Sequence, residues 1–294
     1  MDGFRRSALE RLGRKSIAIK DISLQFWCEK QMELYHTAKQ RPTAAMERGT
    51  QIHEKMQKSI YVPLTVEPSN YSDWMYKVAY ENCTSIKSLK EKGKCREVMI
   101  YGSINGYKLS GKIDQLSIVD GKVAIIEDKS TNKSSSINEA ISRPHIVQIM
   151  LYRKFLEDIK DGRYSYDNFS SSYRLDTMAL SNMFSLGLSE IGIVDGLLSV
   201  SSIYQRMFNE MRTMPELSSE MEIRYIDKTT LSEFYSMKVP YDSKTMDSYI
   251  KNAMGYWNGD REALPVPMSE RWKCRMCRFY GKECKTWWNA TVAQ

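Results

Sequence analysis

Three side chains within one short stretch have the types and spacing to hydrolyse a phosphodiester. Residues 111–130 read GKIDQLSIVDGKVAIIEDKS. Two apolar, β-branched runs flank Asp120-Gly121, and Asp-Gly in that setting signals a two-residue hairpin, because both turn positions must tolerate positive φ. The pairing that follows sets Val119 against Lys122, Ile118 against Val123 and, at the open end, Asp114 against Glu127. Directly opposed Cβ atoms lie roughly 4.5–5.5 Å apart. Alternation puts Asp114, Leu116 and Ile118 on one face with Val123, Ile125, Glu127 and Lys129, and turns Asp128 to the other, where its loss should spare the chemistry. Two carboxylates this close repel unless a cation lies between them. Magnesium and manganese accept carboxylate oxygens while keeping several waters. Lys129 is placed to hold an attacking water or a phosphate oxygen, so the pattern is that of metal-assisted hydrolysis at an exposed hairpin end. The rival reading is a solvated sheet edge with an ordinary Glu–Lys pair. A register that brings Asp114 to Glu127 favours the metal site.

A second cluster sits near the C-terminus. Of six cysteines, Cys274, Cys277 and Cys284 fall within eleven residues, while Cys28, Cys83 and Cys95 are scattered. Such bunching points to a metal or cluster rather than a disulfide framework. A fourth ligand must come from elsewhere, and Cys28 is the candidate; Cys83 and Cys95 read as free thiols. Four-cysteine zinc sites usually show two Cys-x2-Cys pairs. Here one pair joins two singles, a spacing that favours a [4Fe–4S] cluster over zinc.

These residues need a frame. A helix over 23–36 carries Phe26, Trp27 and Cys28, and a second over 43–59 carries Arg48, Gly49 and His53. A lone helical histidine becomes a ligand only if its helix crosses the mouth of the hairpin. Tyr71–Lys92 reads as a third helix with Trp74, Val78 and Ile86 buried. Strands at 97–104 and 107–113 flank Asn105-Gly106, a second hairpin turn, and complete a three-stranded antiparallel meander. A helix follows, with Pro144 near its first turn and Gln148 and Tyr152 four apart on one face as a polar rim. Residues 161–220 are the least legible: YSYDNFSSSYR is loop-like, and Val200–Arg212 is helical. Strands at 222–227 and 233–239, a helix at Ser243–Trp257 and a proline-bearing connector lead to the cysteines.

Bulk properties bound the rest. The 294 residues are 42% hydrophobic and 27% charged, the values of an ordinary globular protein. No apolar run is long enough to span a bilayer and the N-terminus lacks a signal-peptide core, so a cytoplasmic, non-membrane location is expected. A net charge of +7 suits a polyanionic partner.

Taken in order, Cys28, Arg48-Gly49 with His53, Gly111-x-x-Asp114, Glu127-x-Lys129, Gln148-x3-Tyr152 and the three C-terminal cysteines resemble the iron–sulfur branch of the RecB-type PD-(D/E)XK nucleases. That group includes exonuclease V, whose motif helix VQIMLYRKFLE resembles most, and the CRISPR adaptation nucleases. The proline of the superfamily name is absent, with Ile113 preceding Asp114. The resemblance implies an α/β fold: a mixed sheet flanked by helices, a restriction-endonuclease-like core. It implies one nuclease domain over 1–294, with the motifs in 43–160, a helical insertion at 161–221 over the active site, and an iron–sulfur cap joining 20–36 to 268–288. His53, Asp114 and Glu127 would hold magnesium or manganese, and Lys129 would position water. Gln148 and Tyr152 would orient DNA or the catalytic lysine, and Arg48 would bind or position DNA. Cys28, Cys274, Cys277 and Cys284 would hold a structural [4Fe–4S] cluster. The implied activity is a metal-dependent deoxyribonuclease, a single-stranded DNA exonuclease of DNA repair or processing. The alternatives are a CRISPR adaptation subunit, or a DNA-binding module with a vestigial site. Intact Asp114, Glu127 and Lys129 argue against the last.

Overall fold

The computed structural model describes residues 6–38, 47, 51, 63–133, 136–193 and 197–287. Its centre is the meander. Strands β2 (Lys94–Ile104), β3 (Tyr107–Val119) and β4 (Lys122–Thr131) run antiparallel through two tight turns. Asn105 and Gly106 have φ of 50° and 80°, and Asp120 and Gly121 have 50° and 74°, so both turns are left-handed at both positions. That backbone twist matches the strands it joins. The second edge of β3 also takes a short parallel strand, β1 (Ile17–Ala18), at Leu109 and Ser110. Beyond β4 lie β5 (Glu220–Asp227), parallel to it, and β6 (Glu233–Pro240), antiparallel to β5. The result is a mixed six-stranded sheet flanked by helices, as expected.

Helices α1 (Ala8–Arg11) and α2 (Ile19–Thr37) precede the meander, and α3 (Tyr71–Lys92) covers the outer edge of β2. Asn82 of α3 imitates a strand there. Its amide donates to the Met99 carbonyl and its side-chain oxygen accepts the Met99 N–H, both at 2.7 Å. A bare edge is thereby closed to pairing with another chain. The bounds of α3 match the sequence expectation, with Asn70 as N-cap and Gly93 as left-handed C-cap. Its burial does not fully match: Ile86 is buried, Val78 only partly, and Trp74 is 42% exposed.

The long helix α4 (Glu139–Lys160) lies across one sheet face, and from Gln148 onward most of it is buried, polar Gln148, Arg153 and Asp158 included. Pro144 is its sixth residue, not its first-turn residue, because the Asn138 side chain caps the Ile141 N–H. Backbone approach is close: a Cβ on Gly102 would lie 2.5 Å from Phe155, and one on Gly111 would lie 2.8 Å from Tyr152. Both glycines therefore fill a gap that no other residue fits.

Residues 161–220 hold α5 (Tyr166–Tyr173), α6 (Asn182–Glu190) and α7 (Val200–Arg212). The stretch expected as loop forms α5 because Ser165 and Asn168 cap it reciprocally and Phe169 buries against Tyr204 and Tyr101. Turn formers here act as a helix start. α7 packs on α3, where Lys90 meets Glu210 at 2.6 Å.

The chain ends pack together. α8 (Ser243–Trp257) holds α2 through Gln25, which accepts the Trp257 indole N–H at 2.9 Å. Glu29 accepts Arg261 Nη2 at 2.7 Å and the Leu264 N–H at 2.8 Å. In the 3-10 segment Met268–Met276, Lys273 is 1% exposed, with its ammonium 4.3 Å from the Trp27 ring centre. Among the described residues no helix is long and apolar enough to cross a membrane.

Candidate active site

The β3–β4 ladder runs from Val119↔Lys122 to Gln115↔Ile126 and stops one residue short of Asp114 and Glu127. In place of a further ladder pair, the Asp114 carboxylate accepts the Asp128 N–H at 2.9 Å. From Ile126 onward β4 is also held by β5, and β1 takes β3 only at Leu109 and Ser110. Residues 111–114 thus lie in a notch on the second edge of β3, between β1 and β4. The face alternation slips there too. Gly111 faces Tyr152 on α4, yet Leu116, five residues on, pairs with Ile125, which shares the face of Glu127 and hence of Gln148 on α4. Glu97, across β3 from Asp114, has a φ of 59°, and no ladder pair joins the two. The β2–β3 register is the same on either side of this point, so the break is a local loss of pairing and alternation, and it leaves Asp114 at an opened edge.

Glu127 is 2% exposed. Its Oε1 accepts Lys129 Nζ at 2.7 Å and Gln148 Nε2 at 2.8 Å. Its Oε2 is buried with no hydrogen-bond partner among the described residues. Burial, and then the charge of Asp114, push its carboxyl up to about 8, with Lys129 opposing. Lys129 Nζ also donates to Gln148 Oε1 at 2.8 Å, and Gln148 Nε2 donates to the Tyr152 hydroxyl at 2.8 Å. Gln148 and Tyr152 are therefore not a polar rim but one network with the lysine and the carboxylate. Burial and the charge of Glu127 hold the Tyr152 hydroxyl well above its ordinary range, so it stays protonated.

The expected exposed hairpin end is instead buried: Asp114 is only 9% exposed. Asp128 does face away, as expected, but into a buried ion cluster. It meets Arg96 and, at 2.8 Å, Arg224, and both arginines donate to Gln115. Arg48 and His53 lie outside the described residues. His145 was not anticipated. It lines the cleft beside Lys129 and Gln148, a space of about 340 Å³ that also takes in Trp27, Gln31 and Tyr35. Its Nδ1 lies 3.0 Å from the Tyr225 hydroxyl, and burial with the nearby Lys129 charge keeps the imidazole neutral. The signal was its position three residues before Gln148, on the same helix face. No described residue of 161–221, the insertion expected over the site, lines this cleft.

Cys28, Cys274, Cys277 and Cys284 line one cavity; Cys83 and Cys95 do not. The backbone of α2 breaks at Cys28, with φ −170° and ψ 114°. The break lets the Gln31 and Val266 N–H groups reach its sulfur. The sulfur of Cys277 accepts the N–H groups of Phe279 and Tyr280 and the Gln31 side chain. Burial and the neighbouring cysteines push Cys274 up to about 11, so the set would be costly as bare thiolates. Among the described residues no three His, Cys, Asp or Glu side chains close round a single ion.

The sequence matches the family described as "Exonuclease V - a 5' deoxyribonuclease" over residues 6–122, 118–197 and 194–288. The chain belongs to the exonuclease V family. It is a DNA exonuclease. Exonuclease V of Danio rerio is 20% identical over 288 residues, covering 93% of this chain and 71% of the relative. Two solved structures align over most of their lengths. The crystal structure of SSO0001 is 11% identical, covering 92% of this chain and 91% of that one, with a TM-score of 0.39. A candidate exonuclease from Eubacterium rectale is 10% identical, covering 98% and 96%, with a TM-score of 0.38.

Two predictions follow for this exonuclease. Asp128→Asn keeps the shape of the side chain but leaves Arg96 buried without its counter-charge. It should lower unfolding free energy by about 3–5 kcal/mol, the range for breaking a buried pair, while specific activity per folded molecule stays within a few-fold. Urea unfolding alongside specific activity checks this, and a stable but inactive variant would place Asp128 in the chemistry. The second concerns Glu127. Between the ordinary glutamate value of about 4.3 and about 8, the folded chain keeps a proton there that the unfolded chain has lost. In chelator, this group should therefore make stability fall as pH rises across that window. Glu127→Gln should remove that part of the slope in thermal unfolding, and identical wild-type and variant slopes would mean that Glu127 is already ionised.

Proposed function

We propose that this exonuclease digests single-stranded DNA from 5′ ends, in DNA repair or processing, with magnesium or manganese held by Asp114 and Glu127. The observation that carries the reading is Glu127 Oε2: a buried carboxylate oxygen without a partner among the described residues, on a residue whose charge is opposed by neighbouring Asp114. Asp114 and Glu127 would hold a divalent cation, which would offset the two charges and occupy the open side of Glu127 Oε2. His53 is the expected third ligand. Held there, the ion would supply a lowered pKa for the attacking water and a counter-charge for the phosphate.

The rest is done by the chain. Glu127 and Gln148 fix the Lys129 ammonium through two of its three donors. The third remains for the attacking water or a phosphate oxygen. Gln148, anchored on Tyr152, sets the height of the lysine above the carboxylate. Trp27 and Tyr35 give the cleft aromatic surface on which unpaired bases can stack. The 5′ direction rests on the family description, and the preference for single strands on the resemblance.

We further propose that Cys28, Cys274, Cys277 and Cys284 hold a structural [4Fe–4S] cluster. Four cysteines around one cavity and N–H groups aimed at two of the sulfurs support it, as does the one-pair, two-singles spacing of the cysteines.

The test is 5′- and 3′-labelled single- and double-stranded DNA, incubated with anaerobically purified protein with and without manganese. Release should need the metal, favour single strands and begin at the 5′ end. Lys129→Ala should cut kcat by about 10²–10⁴-fold, the range for losing a positioned proton-handling group, with DNA affinity in chelator nearly unchanged. Metal-independent release, or a fully active Lys129→Ala, would overturn the assignment. Cys28→Ser should lose iron, absorbance at roughly 400 nm and thermal stability together, whereas Cys83→Ser and Cys95→Ser should keep the iron. Full iron in Cys28→Ser would move the fourth ligand elsewhere.

A further inference from the structure

We propose that a basic, aromatic cleft at the start of β3, with Lys15, Lys108 and Arg174 for phosphates and Tyr71 for a base, binds the body of the strand whose end is cut at Asp114. This rests on the reading that the substrate is single-stranded DNA. The cleft encloses about 640 Å³, and no carboxylate among the described residues lines it. Its cations come from the segment before β1, from β3 and from the C-cap of α5. They crowd one another: burial, then the charges of Lys15 and Arg174, push the Lys108 ammonium down. Lys108 is held over the Tyr173 ring at 4.9 Å and donates to the Ser172 carbonyl at 3.2 Å, so it is fixed in place. Three gathered cations, with no carboxylate among the described residues beside them, suit phosphate oxygens.

The second feature is aromatic. Tyr71 and Trp74 are 57% and 42% exposed and stack on each other, with ring centres 5.8 Å apart and planes at 22°. Both rings leave about half of their surface to solvent, and stacked rings so exposed are a platform for unpaired bases. Trp74 also lines the adjoining groove, with Lys112, two residues before Asp114. In that groove Lys112 and Lys77 are already paired with Glu97 and Glu67, so phosphate binding belongs to the first cleft. Lys108 and Asp114 are six residues apart along one strand, about 20 Å at roughly 3.3 Å per residue. A long strand can occupy both ends of this track; a dinucleotide cannot.

The test compares Tyr71→Ala/Trp74→Ala and Lys15→Ala/Arg174→Ala with wild type. All four positions are exposed, so neither pair threatens the core. For a single-stranded thymidine dodecamer, KM should rise about tenfold or more with the aromatic pair, the order of effect seen on removing one stacking platform, with kcat unchanged. Thymidine dinucleotide should be cut as by wild type. In the basic pair the slope of log K against log salt should fall by about 1.4, at about 0.7 per phosphate contact. Dodecamer binding in chelator, read by fluorescence anisotropy, should weaken in parallel. Unchanged dodecamer KM and affinity would overturn the proposal, as would equal losses on dinucleotide, which would mean the variants disturb the site itself. Equal losses of affinity for duplex dodecamer would reduce the cleft to a general basic surface and overturn it too. A protein that binds the dodecamer through these residues but cuts no single strand would sink the single-strand nuclease reading and leave the cleft standing.

Discussion

The structure around the site depends on keeping one carboxylate, Glu127, out of water. A buried carboxylate is costly unless it is hydrogen-bonded and charge-compensated. Glu127 gets half of this from the chain, through Lys129 and Gln148 on Oε1, and finds no partner for Oε2 among the described residues. The surrounding architecture follows from that demand. β4 must bring Glu127 and Lys129 to one face, α4 must lie close enough for Gln148 to reach both, and Gly102 and Gly111 permit that approach. The opposite face of β4 is settled separately, by Asp128 between Arg96 and Arg224, so a run of two acids and a lysine serves two faces with different chemistry.

Asp114 is brought in by an irregularity, not by a regular sheet. A continued ladder would commit its strand edge to β4, with side chains in strict alternation. Ending the ladder at Gln115 and closing with the Asp114 carboxylate on the Asp128 N–H leaves an opening at the strand edge. Irregularities that re-aim a side chain are over-represented beside active sites, and the positive φ of Glu97 on β2 belongs to the same irregularity.

Much of this was legible because the strongest local signals lay next to the chemistry. Asp120-Gly121 fixes the register of β3 on β4 as far as Gln115 and Ile126, which carries Asp114 and Glu127 to the same end of the hairpin and turns Asp128 away. Asn105-Gly106 does the same for β2. Periodicity found α3, α7 and α8 with their bounds. What failed depended on tertiary context. Nothing local says that β4 is drawn to β5 after Ile126, so the open ladder and the burial of the site were not foreseeable. Tyr166–Tyr173 was lost because Ser and Asn serve turns and helix caps alike. Trp74 was misjudged because apolar character outweighed its position on the exposed side of α3. Gln148 looked like a rim because its partner, Lys129, lies on another element.

The cysteine cavity and the cleft are not independent parts. Trp27 and Gln31, on either side of the break in α2, line both. Gln31 contributes its backbone N–H to Cys28 and its side chain to Cys277, while the Trp27 carbonyl accepts Lys273 Nζ at 3.4 Å. The same helix is tied to the last third of the chain through Gln25 and Glu29. α2 also packs along α4, which carries Gln148 and Tyr152. Whatever fixes the four cysteines therefore fixes one wall of the cleft and, through α4, the network that holds Lys129. Closing a loop that joins residue 28 to residue 284 restricts the unfolded chain as well, because long closures remove the most entropy. A group bound there would act on the chemistry by position and by folding free energy, with no need to exchange electrons with the substrate.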